Sequence, residues 1–215
     1  MAAHREQLTR ARILLSALGL VDREGMGGLT IRALATELEV TPMAVYRHVR
    51  NKAEIVDGLL DEVIRTHLAS GPVGDPKGWL YARFCAIQRA LVAHPAILPL
   101  LGETGSYGPS ALAAAEEILG ALQLGGLEDE AAVTAFHELI SYTIGAAALG
   151  SAASRERPGD TSTDEWLRRR RAQFESLSME RFPRVVGTAH LLVGFAAAPV
   201  FEQGLTRILD RLPFR

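Results

Sequence analysis

Between Thr30 and Lys52 the chain signals a helix start three times, and so close a succession leaves room only for short helices folded around a turn. Thr30 stands just before Leu34, Ala35 and Leu38. Thr41 precedes Pro42, which suits the first turn of a helix because the N–H it lacks has no partner there anyway. Asn51 with Glu54 three residues on has the pattern of a capped start, and the helix it opens is predicted to run to about Leu68. Upstream, Ile13, Leu14, Ala17, Leu20 and Val21 make an apolar stripe that stops at Gly25 to Gly28, which predicts one more helix ended by glycine. Leu34, Leu38, Val40, Val45 and Val49 give the segment one apolar face, and Ala35 lets its helices approach closely.

The opposite face is unusual for a surface exposed to water. Projected at about 100° per residue with Val45 inward, the helix after Thr41 puts Met43 and Arg47 outermost, with Ala44 and Tyr46 on the flanks. No acid occurs between Thr41 and Lys52. Such a surface suits a DNA major groove. Arginine pairs with guanine O6 and N7, Met43 and Ala44 can meet thymine methyls, and Tyr46, His48 and Lys52 can reach phosphates. The rival reading is an ordinary helical hairpin with Tyr46 packed inward and Arg47 in solvent.

Charge supports the first reading. Residues 1 to 52 carry a net +3, so the remainder carries −5, and a basic head on an acidic body fits a polyanion at one end only. Leu29-Thr30, Leu34-Ala35, Leu38, Val40, Val45-Tyr46, His48-Val49 and Asn51-Lys52 resemble, position by position, the signature of the TetR family of repressors. The resemblance spans about residues 8 to 68 and is vaguer beyond. It implies that Arg32, Met43, Ala44, Tyr46, His48 and Lys52 contact operator DNA; with Thr41 and Arg47 these form the DNA-contacting set. One position departs from the family pattern. Glu39 stands where a glycine is usual and must adopt a left-handed conformation at a cost of about 1 kcal/mol.

Strand-like alternation is nearly absent, and no solenoid repeat is present, so the whole chain reads as all-α. At 215 residues and 48% hydrophobic it can bury a real core. SGPVGDPKG, Ser70 to Gly78, excludes regular helix and divides a DNA-binding head with its connecting helix, 1–69, from a helical body, 70–215. Further helices are expected over Trp79 to Ala93, briefly after Pro95, then Pro109 to Leu122, Glu128 to Ala153, Thr163 to Leu177 and Arg184 to Leu212. Ser162 with Glu165 marks another capped start, and Arg155 to Thr163 is expected to be a mobile loop. The most apolar stretches, Thr143 to Ala153 and Leu191 to Phe201, fall short of the roughly 20 residues that span a bilayer. Cys85 is the sole cysteine, which excludes an intrachain disulfide, and with no signal-like N-terminus a cytoplasmic location is expected.

The resemblance implies that the body binds a small-molecule effector and that a mid-body helix and the last helix form an intersubunit four-helix bundle in a homodimer. Ser141, Gly145 and Ala148 or Leu149 on the first, and Gly187, Gly194 and Ala198 on the second, fit close helix approach equally within or between chains. Large residues flanking the centre are the pocket candidates: Phe84, Ile87, Leu91, Leu101, Tyr107, Phe136, Ile140, Trp166 and Phe174, with Trp79 beside them and His137 as a polar group. His137 has no second ligand four residues away, and no cofactor or metal is expected. His94, before Pro95, reads as a helix-terminus residue. Arg168 to Arg171 read as a solvated face or a salt-bridging patch near the loop. An enzyme or a carrier of an apolar molecule is the alternative, but no phosphate loop, metal spacing or nucleophile elbow supports catalysis, and neither explains the basic head.

Overall fold

The computed structural model describes residues 7–68, 71, 73–103, 108–156, 161–194 and 198–214, and among them no strand occurs. Helix α1 (Arg10–Gly28) is capped by Thr9, whose hydroxyl accepts from the Arg12 N–H at 3.2 Å. Gly25, at φ 73°, interrupts its regular course where the sequence predicts termination. Helices α2 (Ile31–Glu37), α3 (Pro42–Tyr46) and α4 (Lys52–His67) begin at the expected residues, with Thr30, Thr41 and Asn51 accepting from Ala33, Ala44 and Glu54 N–H groups. Ile13, Leu14, Ala17, Leu34, Val45, Val49, Ile55 and Leu59 close around one another as the head core. Gly58 is needed where α4 crosses α1: a Cβ there would lie 2.8 Å from a Leu14 methyl.

The body opens with α5 (Pro76–Ala93), three residues before the predicted start. Asp75 caps it, accepting from Gly78 N–H at 2.9 Å, and Pro76 takes the first position. A 3₁₀ turn (Pro95–Ile97) and α6 (Leu100–Glu103) lead to α7 (Pro109–Leu124) and α8 (Asp129–Glu156). Helix α9 (Thr163–Glu175) starts on its Ser162 cap, whereas residues 157–160 of the expected mobile loop lie outside the described residues. The expected single helix from Arg184 to Leu212 is instead three: α10 (Pro183–Gly187), α11 (Ala189–Leu192) and α12 (Ala198–Arg211). Thr188 leaves helical geometry at φ −110°, ψ 14°, and Pro199 in the first turn of α12 cannot donate the N–H that a continuous helix requires.

Helix α5 is the body's central element, packing on α8, α7, α12 and α4. Phe84, Leu80, Ile118, Leu122, Leu139, Phe201, Leu205 and Leu209 form the second core. The head core reaches into the body through Leu91, Ile97, Leu100 and Ala147, and Ile87 packs against both cores. Gly204 permits the close approach of α12 to α8, since a Cβ would occupy the place of the Tyr142 hydroxyl, which donates to the Phe201 carbonyl at 3.1 Å.

Helix α8 corrects the membrane argument from length. Its window Asp129–Ser154 is long and apolar enough to span a bilayer, with mean hydropathy 1.2. It is used otherwise here: Ala132, Ala135 and Leu139 are buried in the body core, and Ala147 in the head core.

Candidate nucleic-acid interface and effector region

Helix α3 turns Val45 fully inward and Met43 outward, leaving Met43 67% and Tyr46 49% exposed. Tyr46 therefore does not pack into the hairpin core. Thr41, Arg47 and His48 are exposed beside them, Ala44 is half-buried, and Arg32 is exposed at the start of α2. Val49, fully inward, anchors the far end. Thr41 spends its hydroxyl oxygen on the Ala44 N–H, so its first task is to start the helix.

Lys52 is exposed at the start of α4, and its Nζ donates to the Met26 carbonyl at 3.1 Å, tying α4 to the end of α1. The acids nearby are occupied. Glu54 accepts from the Arg50 N–H at 2.8 Å and pairs with the Arg50 and Arg10 guanidiniums; these interactions, the backbone bond first, hold its carboxyl below the ordinary range. Glu37 pairs with Arg23 at 2.8 Å and so braces α2 against α1.

In the body the proposed effector residues separate into groups. Phe84 is fully buried in the body core and Leu91 nearly so in the head core. Ile87, Leu101, Phe136 and Ile140 are half-buried against those cores. His137 is exposed, its ring 5.7 Å from that of Phe136. Trp166 and Phe174 lie on α9, which packs on α10 and α11, and Tyr107 lies outside the described residues. Trp79 has the Arg83 guanidinium 4.7 Å from its ring centre, and Arg83 pairs with Glu117. A surface groove of about 530 Å³ between the start of α8 and Leu212-Pro213 is lined by Glu128, Glu130 and Glu138 and by none of the proposed effector residues.

The profile described as "Bacterial regulatory proteins, tetR family" matches residues 13–59, and "Tetracyclin repressor-like, C-terminal domain" matches residues 80–213. The chain belongs to the TetR family. This TetR-family protein is 31% identical over 213 residues to the HTH-type transcriptional repressor DrrR1 of Streptomyces coeruleorubidus, covering 95% of this chain and 77% of that one. Among solved structures, a TetR regulator from Streptomyces coelicolor superposes with TM-score 0.79 at 28% identity, over 97% of this chain and 100% of the other. ActR of Streptomyces coelicolor, in complex with actinorhodin, gives TM-score 0.77 at 26% identity over 95% of each chain. As a TetR-family transcriptional repressor the protein is a DNA-binding regulator and not an enzyme.

Two features of this TetR-family fold escape the sequence reading. Asp61 of α4 caps α7 from outside, accepting from the Ser110 N–H at 2.7 Å, the Ser110 hydroxyl at 3.0 Å and the Ala111 N–H at 3.3 Å. His94 reaches Asp22 of α1 at 2.7 Å. Both join residues far apart in the chain, and no local pattern announces such pairs.

Proposed function

We propose that this repressor acts as a cytoplasmic homodimer: two copies of α3 read successive major grooves of an operator, and a small molecule lodged in the body withdraws them. The observation that carries the reading is the acid-free, outward α3 surface of Met43, Tyr46 and Arg47, held by the inward anchors Val45 and Val49. In this reading Arg47 pairs with bases, Met43 and Ala44 meet thymine methyls, and Arg32, Thr41, Tyr46, His48 and Lys52 position the head on the backbone.

With the domain boundary taken near residue 70, α4 belongs to the head through Ile55 and Leu59 and meets the body through α5, α6 and α7. It is therefore the lever. An effector held near Ile87, Leu101, Phe136 and Ile140, with Phe84 and Leu91 behind them, would act by favouring one of two α4 positions, since a ligand with equal affinity for both shifts nothing. ActR holding actinorhodin within a like fold supports a body that accepts a small molecule.

A second copy is supported by apolar surface left open on the single chain. Leu177, Met179, Phe182, Leu191 and Leu192 are exposed around α9 to α11, as is Leu149 on α8. On α8, Ser141, Gly145 and Ala148 also face outward.

The test is fluorescence anisotropy with the gene's own upstream DNA against a scrambled duplex of equal composition and equal salt. A specific site binds about 10³-fold or more tighter than the scrambled one. Equal affinities would leave a carrier of an apolar molecule as the better reading.

A further inference from the structure

Three side chains meet where head and body join: Asp22 on α1, His67 at the last position of α4, and His94 at the end of α5. Their hydrogen bonds favour one tautomer of each imidazole. His94 Nδ1 lies 2.7 Å from Asp22 Oδ2, and an ionised carboxylate only accepts. His67 Nδ1 lies 3.1 Å from the Val63 carbonyl, which also only accepts. The Thr66 hydroxyl, 2.9 Å from the same nitrogen, also lies 2.8 Å from the Glu62 carbonyl, to which it can donate. With both Nδ1 atoms protonated, as these acceptors favour, each neutral ring presents a bare lone pair at Nε2.

Those two Nε2 atoms stand 3.4 Å apart. Facing lone pairs repel, so a positive charge belongs between them. A shared proton would draw the nitrogens to about 2.9 Å. A tetrahedral ion with metal–nitrogen bonds of about 2.0–2.1 Å sets two such atoms about 3.3–3.4 Å apart. The ring centres are 4.9 Å apart and the ring planes are inclined at 71°.

We infer that His67 and His94 bind a divalent transition ion of the zinc type, with Asp22 orienting His94 from behind. The imidazole pair selects such ions over magnesium and calcium, which take oxygen ligands. Among the described residues no group of three or more His, Cys, Asp or Glu side chains converges. Water supplies the remaining positions of the proposed site, and the partly exposed Asp22–His94 pair admits it. The ion ties α4 to α5 and, through Asp22, to α1.

The test uses the full-length chain without a polyhistidine tag, stripped by chelator. Cobalt(II) is titrated as a spectroscopic probe, and zinc by calorimetry. The expected result is one ion per protomer, a cobalt ligand-field band displaced by zinc, and no response to magnesium. His67→Ala and His94→Ala each weaken binding at least about tenfold, Asp22→Asn weakens it about 10- to 100-fold, and His190→Ala on exposed α11 changes nothing. Circular dichroism verifies that each variant is folded. A wild type that binds no zinc would leave the pair bridged by a proton and overturn the site. Undiminished binding in the His67→Ala/His94→Ala double variant would overturn it equally.

Discussion

Glu39 holds φ 55°, a left-handed position that a side chain adopts at a cost, and it is the turn between α2 and α3 that requires it. Glu39→Gly relieves that strain at an exposed site. The expected gain is about 1 kcal/mol, or about 2–4 °C in Tm for a chain of this length; an unchanged or lower Tm would show the turn to be unstrained. Lys52 and Arg47 separate two kinds of DNA contact. Lys52→Ala should weaken binding to every sequence alike and flatten the log K against log salt slope by about one unit, whereas Arg47→Ala should change which bases are preferred. An unchanged slope for Lys52→Ala would assign Lys52 to its Met26 tie alone. At Cys85, burial pushes the thiol above its ordinary pKa, partly offset by Tyr81, so it stays protonated and is a poor nucleophile near neutral pH. Alkylation by iodoacetamide is expected to be slower in the native protein than in the denatured chain; equal rates would contradict this.

The elements are held by caps of two kinds, and the difference decides what a sequence discloses. Thr30, Thr41, Asn51 and Ser162 each bond an N–H three residues on, a pattern contained in a few adjacent letters. Asp61 caps α7 across 49 residues, and nothing near Ser110 betrays it. Asp61→Ala removes three acceptor contacts from the start of α7 and should cost about 1–3 kcal/mol in urea denaturation, with Asp61→Asn intermediate; a loss below about 0.5 kcal/mol would mean that solvent replaces the cap. The start of α5 at Pro76 was hidden inside a run that reads as pure breaker, because proline ends helices and begins them equally well. The division of the last predicted helix was half visible in Pro199, but the bend at Thr188 carries no such mark. The α3 surface was legible because periodicity and composition both bear on it. The effector region was not, since apolar residues at helical spacing look alike whether they pack in a core, as Phe84 does, or stand on an outlying helix, as Trp166 does.

At the scale of the whole molecule, the proposed function rests on two heads held at a fixed spacing. Among the described residues a Cβ on Gly145 would meet nothing within 4 Å, so a side chain there starts into open space on the single chain. Gly145→Trp should therefore shift sedimentation toward the monomer and weaken operator binding together; a dimer unaffected by it would move the interface off this face of α8. The most direct measurement is hydroxyl-radical footprinting of the dimer on an operator selected from its own upstream region. The account predicts two related half-sites protected on one face of the duplex, with centres about 34–36 Å apart, one helical turn or a multiple of it, both lost in Arg47→Ala. A single unpaired footprint, or protection without sequence preference, would contradict it.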